Sequence, residues 1–446
     1  MLHRQPAAAR LRERDHHQPD LESLSHRRAG SAQIKERGLT PFLRIVLPFL
    51  AGYYLSYVFR AVNAVLGPTL AQEFGLSATD LGFLTGVYFF SFGLFQIPLG
   101  LLLDRFGPRR VNGALLVLAA AGGVAFAHAQ SFETLVLARA LIGLGVSACL
   151  MGMIQAFVLW FPPERTATMI ALAYSMGGLG AISASSPLEA ALGHFDWRQI
   201  FLGLAGATLA LSALFALWVP EHARKSAPAP LRAQLAGLAQ IARDAAFWRV
   251  AIAIGANQCA VVSLFTLWLT AWLRDVAGYD AAAAARGLAW VSLALIAGYF
   301  FFGRLADARA RSGRSQLPLF AAGVGASLAM LALLAAGVTT AAVAIWAGFV
   351  FFGTGATLAH SIATRRYPRE MAGRVNTALN TFTFLGIFAG QWATGAVLNL
   401  FPPTATGYDP RGYCYALSAL WLVQAAGLAW LWSGRRLLIY PDDSLK

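Results

Sequence analysis

Twelve long apolar segments constrain this chain more than any other feature of its sequence. Each is long enough to cross about 30 Å of hydrocarbon as a helix, which takes roughly 20 residues. Only 13% of the residues are charged, about half the share found in soluble domains. The sequence therefore predicts an all-α integral membrane protein with twelve transmembrane helices. The apolar segments lie near residues 42–68, 80–103, 111–129, 132–161, 166–192, 198–219, 247–273, 286–305, 317–336, 340–363, 372–398 and 412–433.

Lys and Arg residues are distributed unevenly over the segments between the spans. An even number of spans puts both chain ends on one side, and the segments on that side hold 29 of the 35 basic residues. The loops of the opposite side hold four, and Arg60 and Arg139 fall within spans. The positive-inside rule then predicts that both termini are cytoplasmic. Because this placement also accounts for the net charge of +14, we expect no nucleic-acid partner.

The spans and the polar stretches between them divide the chain into five segments. Residues 1–41 are polar and lack the apolar run of a signal peptide, so we expect a disordered cytoplasmic tail. Two six-helix bundles are predicted over 42–219 and 247–433. A cytoplasmic linker over 220–246 joins them, and residues 434–446 form a second cytoplasmic tail.

The two predicted bundles share short motifs at equivalent places. The matches pair Gly100 and Asp104 with Gly303 and Asp307, Phe161-Pro162 and Glu164 with Tyr367-Pro368 and Glu370, and Gly143 and Gly145 with Gly353 and Gly355. Three matches in the same order indicate a duplicated unit, hence two pseudo-symmetric bundles. Duplicated helical units in membranes are typical of transporters.

Several motifs resemble those of the major facilitator superfamily. Residues 100–110, Gly-Leu-Leu-Leu-Asp-Arg-Phe-Gly-Pro-Arg-Arg, look like its signature in the loop between helices 2 and 3, and 303–309 is a weaker second copy. Residues 137–145 are similar to its helix 4 motif, and 197–201 to its helix 5–6 junction. The resemblance covers about residues 42–433. It implies a secondary active transporter that works by alternating access, in which two bundles rock about a site at the membrane midplane.

The loop signature implies a gate on the cytoplasmic side. An acid at a helix end beside arginines can pair with neighbouring helix ends, and such pairs must break or shift when that side opens. In the family this motif acts as a latch, which gives gating roles to Gly100, Asp104, Arg105, Gly107, Arg109 and Arg110, and in the second copy to Asp307 and Arg309. The alternative is that these arginines only set the topology.

A polar stripe in the first span predicts a substrate site. Tyr53, Tyr57, Arg60 and Asn63 fall on one helical face, together with Ser56. A charged side chain inside the bilayer costs at least about 2.5 to 3.5 kcal/mol, so Arg60 needs a partner or a watery cavity. A guanidinium binds carboxylates through two parallel hydrogen bonds, which favours an anionic substrate. Snorkelling of Arg60 to the outer surface is the alternative.

Part of the first bundle is similar to the anion:cation symporter branch of the superfamily. The similarity rests on Arg60-x-x-Asn63, on the approach to helix 2 over 75–82, and on Phe95-Gln96-Ile-Pro98. It implies a small organic anion or carboxylate-bearing metabolite as substrate and a proton or sodium as the possible coupling ion. Members of this branch often carry an acid after the Gly-x-Gly of helix 4, where this chain has Gly145-Val146-Ser147.

Polar residues in other spans complete the candidate site. Arg139 lies in helix 4, Asn257 and Gln258 in helix 7, and Ser361 in helix 10. No acid falls near the middle of a span, so coupling through a buried carboxylate is not expected. Two candidates for ion coupling remain, His360, whose ordinary pKa is near neutral, and Glu189 near the outer end of helix 5. A structural role for His360 and interhelical hydrogen bonding by the other polar groups are the alternatives.

Other function classes lack support in the sequence. There is no nucleophile motif, phosphate-binding loop or metal-ligand spacing, so we expect no enzyme, no cofactor and no metal. A multidrug or cation efflux antiporter and a non-transporting sensor on the same scaffold remain as alternatives. The expected partners are a small-molecule substrate and the lipid bilayer, with the protein a monomer. Arg outnumbers Lys by 32 to 3, which with high Ala content suggests a bacterial inner membrane.

Overall fold

The structure is a computed structural model that describes residues 39–161, 163–221, 231–368, 371–404 and 407–438. The predicted N-terminal tail lies outside the described residues apart from its last three positions. Parts of the linker and of the C-terminal tail also lie outside them. The chain forms two compact units, Met1–Leu47 and Pro48–Lys446. Of the first unit the structure describes the start of one helix, and the candidate site lies wholly in the second.

Six helices, several of them interrupted, precede the linker. They are α1 (Leu39–Ala61, then Asn63–Phe74), α2 (Ala78–Leu94, then 96–106), α3 (108–127), α4 (Phe132–Gly145, then Ala148–Trp160), α5 (Pro163–Ser183, then Ser186–Leu192) and α6 (Trp197–Leu217). Local sequence explains where some begin. Ser77 starts α2 with a capping box, in which its side chain accepts from the Asp80 N–H and the Asp80 carboxylate accepts from the Ser77 N–H. α2 and α3 are separated only by Gly107, at φ 79° and ψ 163°, a conformation that glycine adopts readily.

A linker helix (Leu231–Arg243) leads into six further helices. They are α7 (Ala245–Ser263, π-helical Leu264–Trp268, Leu269–Asp275), α8 (Ala281–Arg311), α9 (Leu317–Ala335), α10 (Ala342–Gly353, 3-10 turn Thr354–Thr357, Leu358–Thr364), α11 (Ala372–Leu398) and α12 (Pro410–Ser433). Aspartate side chains accept hydrogen bonds from backbone N–H groups at the starts of α7, α8 and α12. The short helix Arg435–Leu438 follows α12.

The twelve predicted spans are all present as helices, although their continuity differs from the prediction. Among the described residues, nine helices are long and apolar enough to cross a membrane, and the two parts of α1, bent by 43°, make a tenth. The other two spans are α2, which is interrupted at Phe95, and α5, which is interrupted before Ser186. The described residues contain no strand, which confirms the all-α fold class. α1 extends six residues beyond the predicted end at position 68.

Two close seams connect helices that precede the linker with helices that follow it. α2 packs on α11, where a Cβ atom at Gly82 would lie 2.5 Å from the carbonyl oxygen of Gln391. α5 packs on α8, where the rings of Tyr174 and Tyr299 are 5.0 Å apart. Small residues permit this close approach. The division into two bundles at 220–246 stays a prediction, because the residues after Leu47 cluster as one unit.

α1, α4, α7 and α10 are also interrupted, and the interruptions of α4, α7 and α10 contain residues that line one central cavity. The breaks fall at Val62 in α1, at Val146–Ser147 in α4, at the π-helical turn of α7 and at the 3-10 turn of α10. Irregular backbone within a membrane protein is tolerated where it lines a cavity or is buried in protein. π-Helical turns inside α-helices are frequent at functional sites.

Candidate functional site

A central cavity lies among eight of the helices. Helices α1, α2, α4, α5, α7, α8, α10 and α11 each contribute to its lining. The polar and aromatic lining residues are Tyr53, Tyr57, Arg60, Phe92, Gln96, Ser147, Tyr174, Gln258, Phe265, Thr266, Tyr299, Thr357, His360, Asn380, Thr383 and Phe384. None of the lining residues that the structure describes is Asp, Glu, Lys or Cys. The cavity therefore offers positive charge, aromatic surface and neutral polar groups.

Arg60 places its guanidinium in an aromatic wall of this cavity. Its Cζ lies 4.5 Å from the centre of the Tyr57 ring, and the rings of Phe384, Phe92 and Phe89 are 5.4 to 5.7 Å away. The residue is 8% exposed, and its buried Nε has no hydrogen-bond partner among the described residues. No described acid forms an ion pair with it. Aromatic faces stabilise a desolvated cation by about 2 kcal/mol but leave its charge unneutralised.

Four tyrosines form a second wall next to Arg60. The ring of Tyr53 lies 5.1 Å from that of Tyr57 and 6.4 Å from that of Tyr174, and Tyr174 contacts Tyr299 across the α5–α8 seam. Each phenol combines a large apolar face with one hydroxyl that donates or accepts a hydrogen bond. This wall suits a solute with both apolar surface and polar groups.

Most of the small polar groups in the lining are already hydrogen-bonded within the protein. The hydroxyls of Ser147, Thr266 and Thr357 donate to carbonyl oxygens of Leu144, Val262 and Thr354 at 2.7 to 2.8 Å. The Gln391 amide also donates to the Thr266 hydroxyl at 2.7 Å. The groups left to contact a solute are mainly Arg60, the tyrosines, Gln258 and His360.

His360 faces the cavity from α10 and contacts α11. Its Nδ1 lies 3.1 Å from Oδ1 of Asn376. Because an amide oxygen only accepts hydrogen bonds, Nδ1 carries the hydrogen. Nε2 is then the nitrogen with a free lone pair.

The arginines of the 2–3 loop signature fasten α3 to the end of α6. Arg109 donates from Nε to the carbonyl oxygen of Phe215 at 3.2 Å and from Nη2 to that of Ala216. Its neighbour Arg110 lies 2.5 Å from a carboxylate oxygen of Glu221, just beyond α6. These bonds satisfy carbonyl groups that a helix C-terminus leaves without intrahelical partners.

The rest of the signature is more exposed, and its second copy forms different contacts. Gly107 supplies the left-handed turn, and Asp104 is exposed at the end of α2. In the second copy Arg309 donates from Nε to the carbonyl oxygen of Ser315 at 2.9 Å. Asp307 is exposed and forms no hydrogen bond or ion pair with a described residue. The two copies therefore stabilise their loops in different ways.

Comparison with known proteins assigns the family. A family model described as the Major Facilitator Superfamily matches residues 49–391. The chain belongs to the Major Facilitator Superfamily. This confirms the family predicted from the loop and helix 4 motifs, a family of multi-pass membrane transporters rather than enzymes.

Relatives and solved structures within the superfamily differ in how much they share with this chain. It is 25% identical over 244 residues to the probable sulfoacetate transporter SauU of Cupriavidus necator, covering 51% of this chain and 56% of that protein. The chain thus spans about half the length of that relative. It is also 25% identical over 382 residues to the probable galactarate/D-glucarate transporter GudP of Bacillus subtilis, covering 77% and 83%.

The fold is shared with a bacterial homologue of the human lysosomal transporter Spinster. That crystal structure, in an inward-facing and occupied conformation, superposes with a TM-score of 0.72 at 17% identity. The match covers 91% of this chain and 99% of the other. It confirms the Major Facilitator Superfamily fold.

Five of the residues predicted for the superfamily site lie together in the cavity, and five lie elsewhere. Those in the cavity are Tyr53, Tyr57, Arg60, Gln258 and His360. Those outside its lining are Asn63, Arg139, Asn257, Ser361 and Glu189. The last two are both half-buried, Ser361 beside His360 in α10 and Glu189 in the short second part of α5.

Three of the predicted residues outside the cavity bond to neighbouring helices instead. Asn63 follows the bend in α1 and donates to the Thr85 hydroxyl of α2 at 2.9 Å. Arg139 is fully buried and donates to a backbone carbonyl of α1. Asn257 donates to the Gly353 carbonyl oxygen at 3.2 Å and accepts from Gln424 at 2.9 Å.

The cavity also contains residues that the sequence analysis did not assign to the site. They are chiefly Gln96, Ser147, Tyr174, Tyr299 and Thr383. A polar residue within an apolar span was a usable signal for Gln96. No such signal marks Tyr174 and Tyr299, because aromatic residues are common throughout the spans and only the α5–α8 seam brings these two together.

Proposed function

We propose that this Major Facilitator Superfamily protein is a secondary active transporter that moves a small organic anion by alternating access. The observation that carries the proposal is the position of Arg60, a cation in the wall of the central cavity with no described acid beside it. We place the protein in a bacterial inner membrane with both termini cytoplasmic, because the basic residues concentrate in the loops on that side.

A bound anion would remove the energetic cost of this unpaired charge. A cation within the membrane costs several kcal/mol unless it is paired or hydrated. A carboxylate or sulfonate supplies the opposite charge, and the planar guanidinium can donate two parallel hydrogen bonds to it. The adjacent tyrosines Tyr53 and Tyr57 then provide hydroxyls and ring faces for the rest of the solute.

Two relatives give independent support for an organic anion. SauU is named as a probable sulfoacetate transporter, and GudP as a probable galactarate/D-glucarate transporter. Sulfonates and aldarates both carry the negatively charged groups that Arg60 suits. The cavity disfavours a cation antiporter, because its described lining residues include no carboxylate to attract a cationic drug.

The loops at the predicted cytoplasmic end would act as the gate. Arg109 and Arg110 tie α3 to the end of α6 and to Glu221, so they hold that side of the first six helices together. The second copy contributes through Arg309, which fixes the loop after α8. At Gly100, on the α2–α11 seam, an added Cβ atom would lie 3.7 Å from the side chain of Thr377.

Thermal unfolding of the purified protein with a panel of solutes tests the proposal. The panel holds organic anions, neutral sugars, amino acids and cationic drugs, since a ligand that binds the folded state raises the unfolding temperature. We expect stabilisation by anions in the wild type and its loss in Arg60→Gln. Arg198→Gln is the matched control, because Arg198 pairs with Glu73 away from the cavity and its loss should leave the anion effect intact.

Counterflow in liposomes then separates a transporter from a sensor. A transporter exchanges labelled anion for unlabelled anion across the membrane, whereas a sensor binds the anion without exchanging it. Stabilisation by cations or neutral solutes that is indifferent to Arg60→Gln would overturn the anion assignment.

A further inference from the structure

His360 differs from every other described residue that lines the cavity, because its ordinary pKa is close to neutral pH. The other titratable groups in the lining are Arg60 and the tyrosines Tyr53, Tyr57, Tyr174 and Tyr299, residue types whose ordinary pKa values lie far above neutral pH. Among the described lining residues, His360 is therefore the one suited to bind a proton at neutral pH.

The contact with Asn376 prepares His360 for this role. The Nδ1–H group donates to the amide oxygen of Asn376 at 3.1 Å, which fixes the tautomer and the orientation of the ring. Nε2 then keeps its lone pair and can take up a proton without breaking that bond. No hydrogen bond from a described residue occupies Nε2.

We propose that His360 carries a coupling proton, so that one proton and one anion bind to the cavity together. The proposal rests on the proposed anion transport and adds the identity of the co-transported ion. Nε2 takes a proton from water on the side where the anion enters. It returns that proton to water on the other side after the anion has left, and no covalent bond other than N–H changes.

Charge in the cavity makes the two binding events cooperative. The helices packed around the His360 segment contribute Gln258 from α7, Tyr299 from α8, and Asn376 and Asn380 from α11, all without negative charge near pH 7. Protonated His360 would add a second positive charge to that of Arg60. An anion offsets both charges, and by linkage the proton raises anion affinity as much as the anion raises proton affinity.

Sodium suits this cavity less well than a proton does. Hard cations bind to several oxygen ligands, among which carboxylates are prominent. The described lining has no carboxylate, and several of its hydroxyl groups already donate to backbone carbonyls. Arg60 would also repel a sodium ion that brings no anion with it, because that ion would be a second positive charge in the cavity.

The test measures anion affinity and proton uptake between pH 6 and 9. The probe is an anion whose own pKa values lie below about 4, so that only the protein titrates. If the protonated form binds the anion, the apparent Kd of the wild type rises about tenfold per pH unit above the pKa of His360. Weakly buffered protein should take up close to one proton per anion bound at the alkaline end.

His360→Asn removes the titratable nitrogen and keeps a side-chain N–H near the position of Nδ1. We expect its anion affinity to be weaker and independent of pH, and a proton gradient should no longer drive accumulation. Anion exchange should persist at a reduced rate, because exchange requires no net proton movement. His128→Asn is the matched control, since His128 lies at the end of α3 outside the cavity and bonds to Val124.

Two outcomes would overturn the proposal. One is a wild-type anion affinity that depends on Arg60 but stays constant from pH 6 to 9. The other is an unchanged pH dependence in His360→Asn. Both leave the anion site itself intact, whereas loss of the Arg60 effect at every pH counts against the proposed function. Wild-type proton uptake decides the matter even where a His360 variant does not fold.

Discussion

Nη1 of Arg139 donates a hydrogen bond of 2.9 Å to the carbonyl oxygen of Phe59, the residue that precedes Arg60. Arg139 is fully buried among α1, α2 and α3, with its Cζ 5.3 Å from the ring of Tyr88 in α2 and 5.9 Å from that of Phe126 in α3. Its Nε and Nη2 have no hydrogen-bond partner among the described residues. Arg139 thus supports the backbone beside the proposed anion site rather than contacting the cavity.

Arg139→Met should leave the unfolding temperature of the ligand-free protein unchanged or raise it. The substitution removes a buried cation with two unpaired nitrogens, each of which costs about 1 to 3 kcal/mol, and leaves no acid without a partner. It loses one hydrogen bond worth about 1 kcal/mol. Thermal unfolding with and without anion measures this. Complete loss of anion stabilisation, as expected for Arg60→Gln, would place Arg139 in the site itself.

Arg60→Lys should bind anions about tenfold more weakly than the wild type. Lysine keeps the positive charge but replaces the planar fork by a compact ammonium, so the two parallel hydrogen bonds to a carboxylate are lost. A loss of about 1.4 kcal/mol corresponds to that factor. Isothermal titration of wild type, Arg60→Lys and Arg60→Gln should give affinities in that descending order. Equal affinity in all three variants would contradict a direct contact.

Gly82→Ala should destabilise the α2–α11 seam by about 1 to 3 kcal/mol, because an added methyl group forces α2 and α11 apart. Its Cβ would lie 2.5 Å from the carbonyl oxygen of Gln391, a backbone atom that cannot rotate away. Gly203→Ala in α6 is the matched control, since a Cβ atom there has nothing within 4 Å. We expect the control to be neutral or slightly stabilising, because alanine favours helix over glycine. Equal unfolding temperatures for the two variants would argue against close packing at Gly82.

Asp244→Asn should lower stability at neutral pH and have little effect in acid. Burial raises the pKa of Asp244, but hydrogen bonds from Tyr367 and Arg366, both at 2.7 Å, outweigh it and hold the pKa below its ordinary value. A lowered pKa stabilises the folded state above the ordinary value near 4, and this stabilisation disappears as pH falls through the folded-state pKa. The gap in unfolding temperature between wild type and variant should therefore be constant from pH 8 to about 5 and narrow below pH 4. In an Arg366→Gln background, Asp244→Asn should lower the unfolding temperature less, because one of the two hydrogen bonds to the Asp244 carboxylate is already lost.

Arg109→Gln should reduce stability and transport more than Asp307→Asn does. Arg109 bonds to two carbonyl groups at the end of α6, whereas Asp307 is exposed and bonds to no described residue. Initial transport rates and unfolding temperatures of the two variants provide the comparison. A larger effect of Asp307→Asn would show that the second loop forms contacts in another state of the transport cycle.

The spans were predictable from the sequence, because exposing polar backbone to lipid is costly and each crossing therefore needs a long apolar helix, which is a local feature. The family was predictable from the loop and helix 4 motifs. Arg60 was predictable for the same reason as the spans, since one charge within such a run must have a function or a partner. The structure has Arg60 in the lining of the cavity. Its role in binding anions stays a proposal.

The details of the site depend on contacts between distant segments, which local patterns do not specify. The helical stripe predicted that Asn63 would share a face with Arg60, but α1 is interrupted at Val62 and Asn63 bonds to α2 instead. Asn257 and Gln258 are neighbours in α7, and one joins a network with Gln424 while the other lines the cavity. Only the packed helices separate the two roles.

The unpaired charge of Arg60 also gives the transport cycle an electrical asymmetry. A doubly charged anion bound with the His360 proton leaves the loaded cavity neutral, whereas the empty cavity keeps the charge of Arg60. Moving one elementary charge across the whole membrane field changes its free energy by about 2.3 kcal/mol per 100 mV. The empty return step would move the charge of Arg60 through part of that field. Exchange of anion for anion would then pass without current, while net uptake would slow as the inside becomes more negative. An inside-negative membrane potential would therefore slow the step in which the empty, positively charged carrier returns.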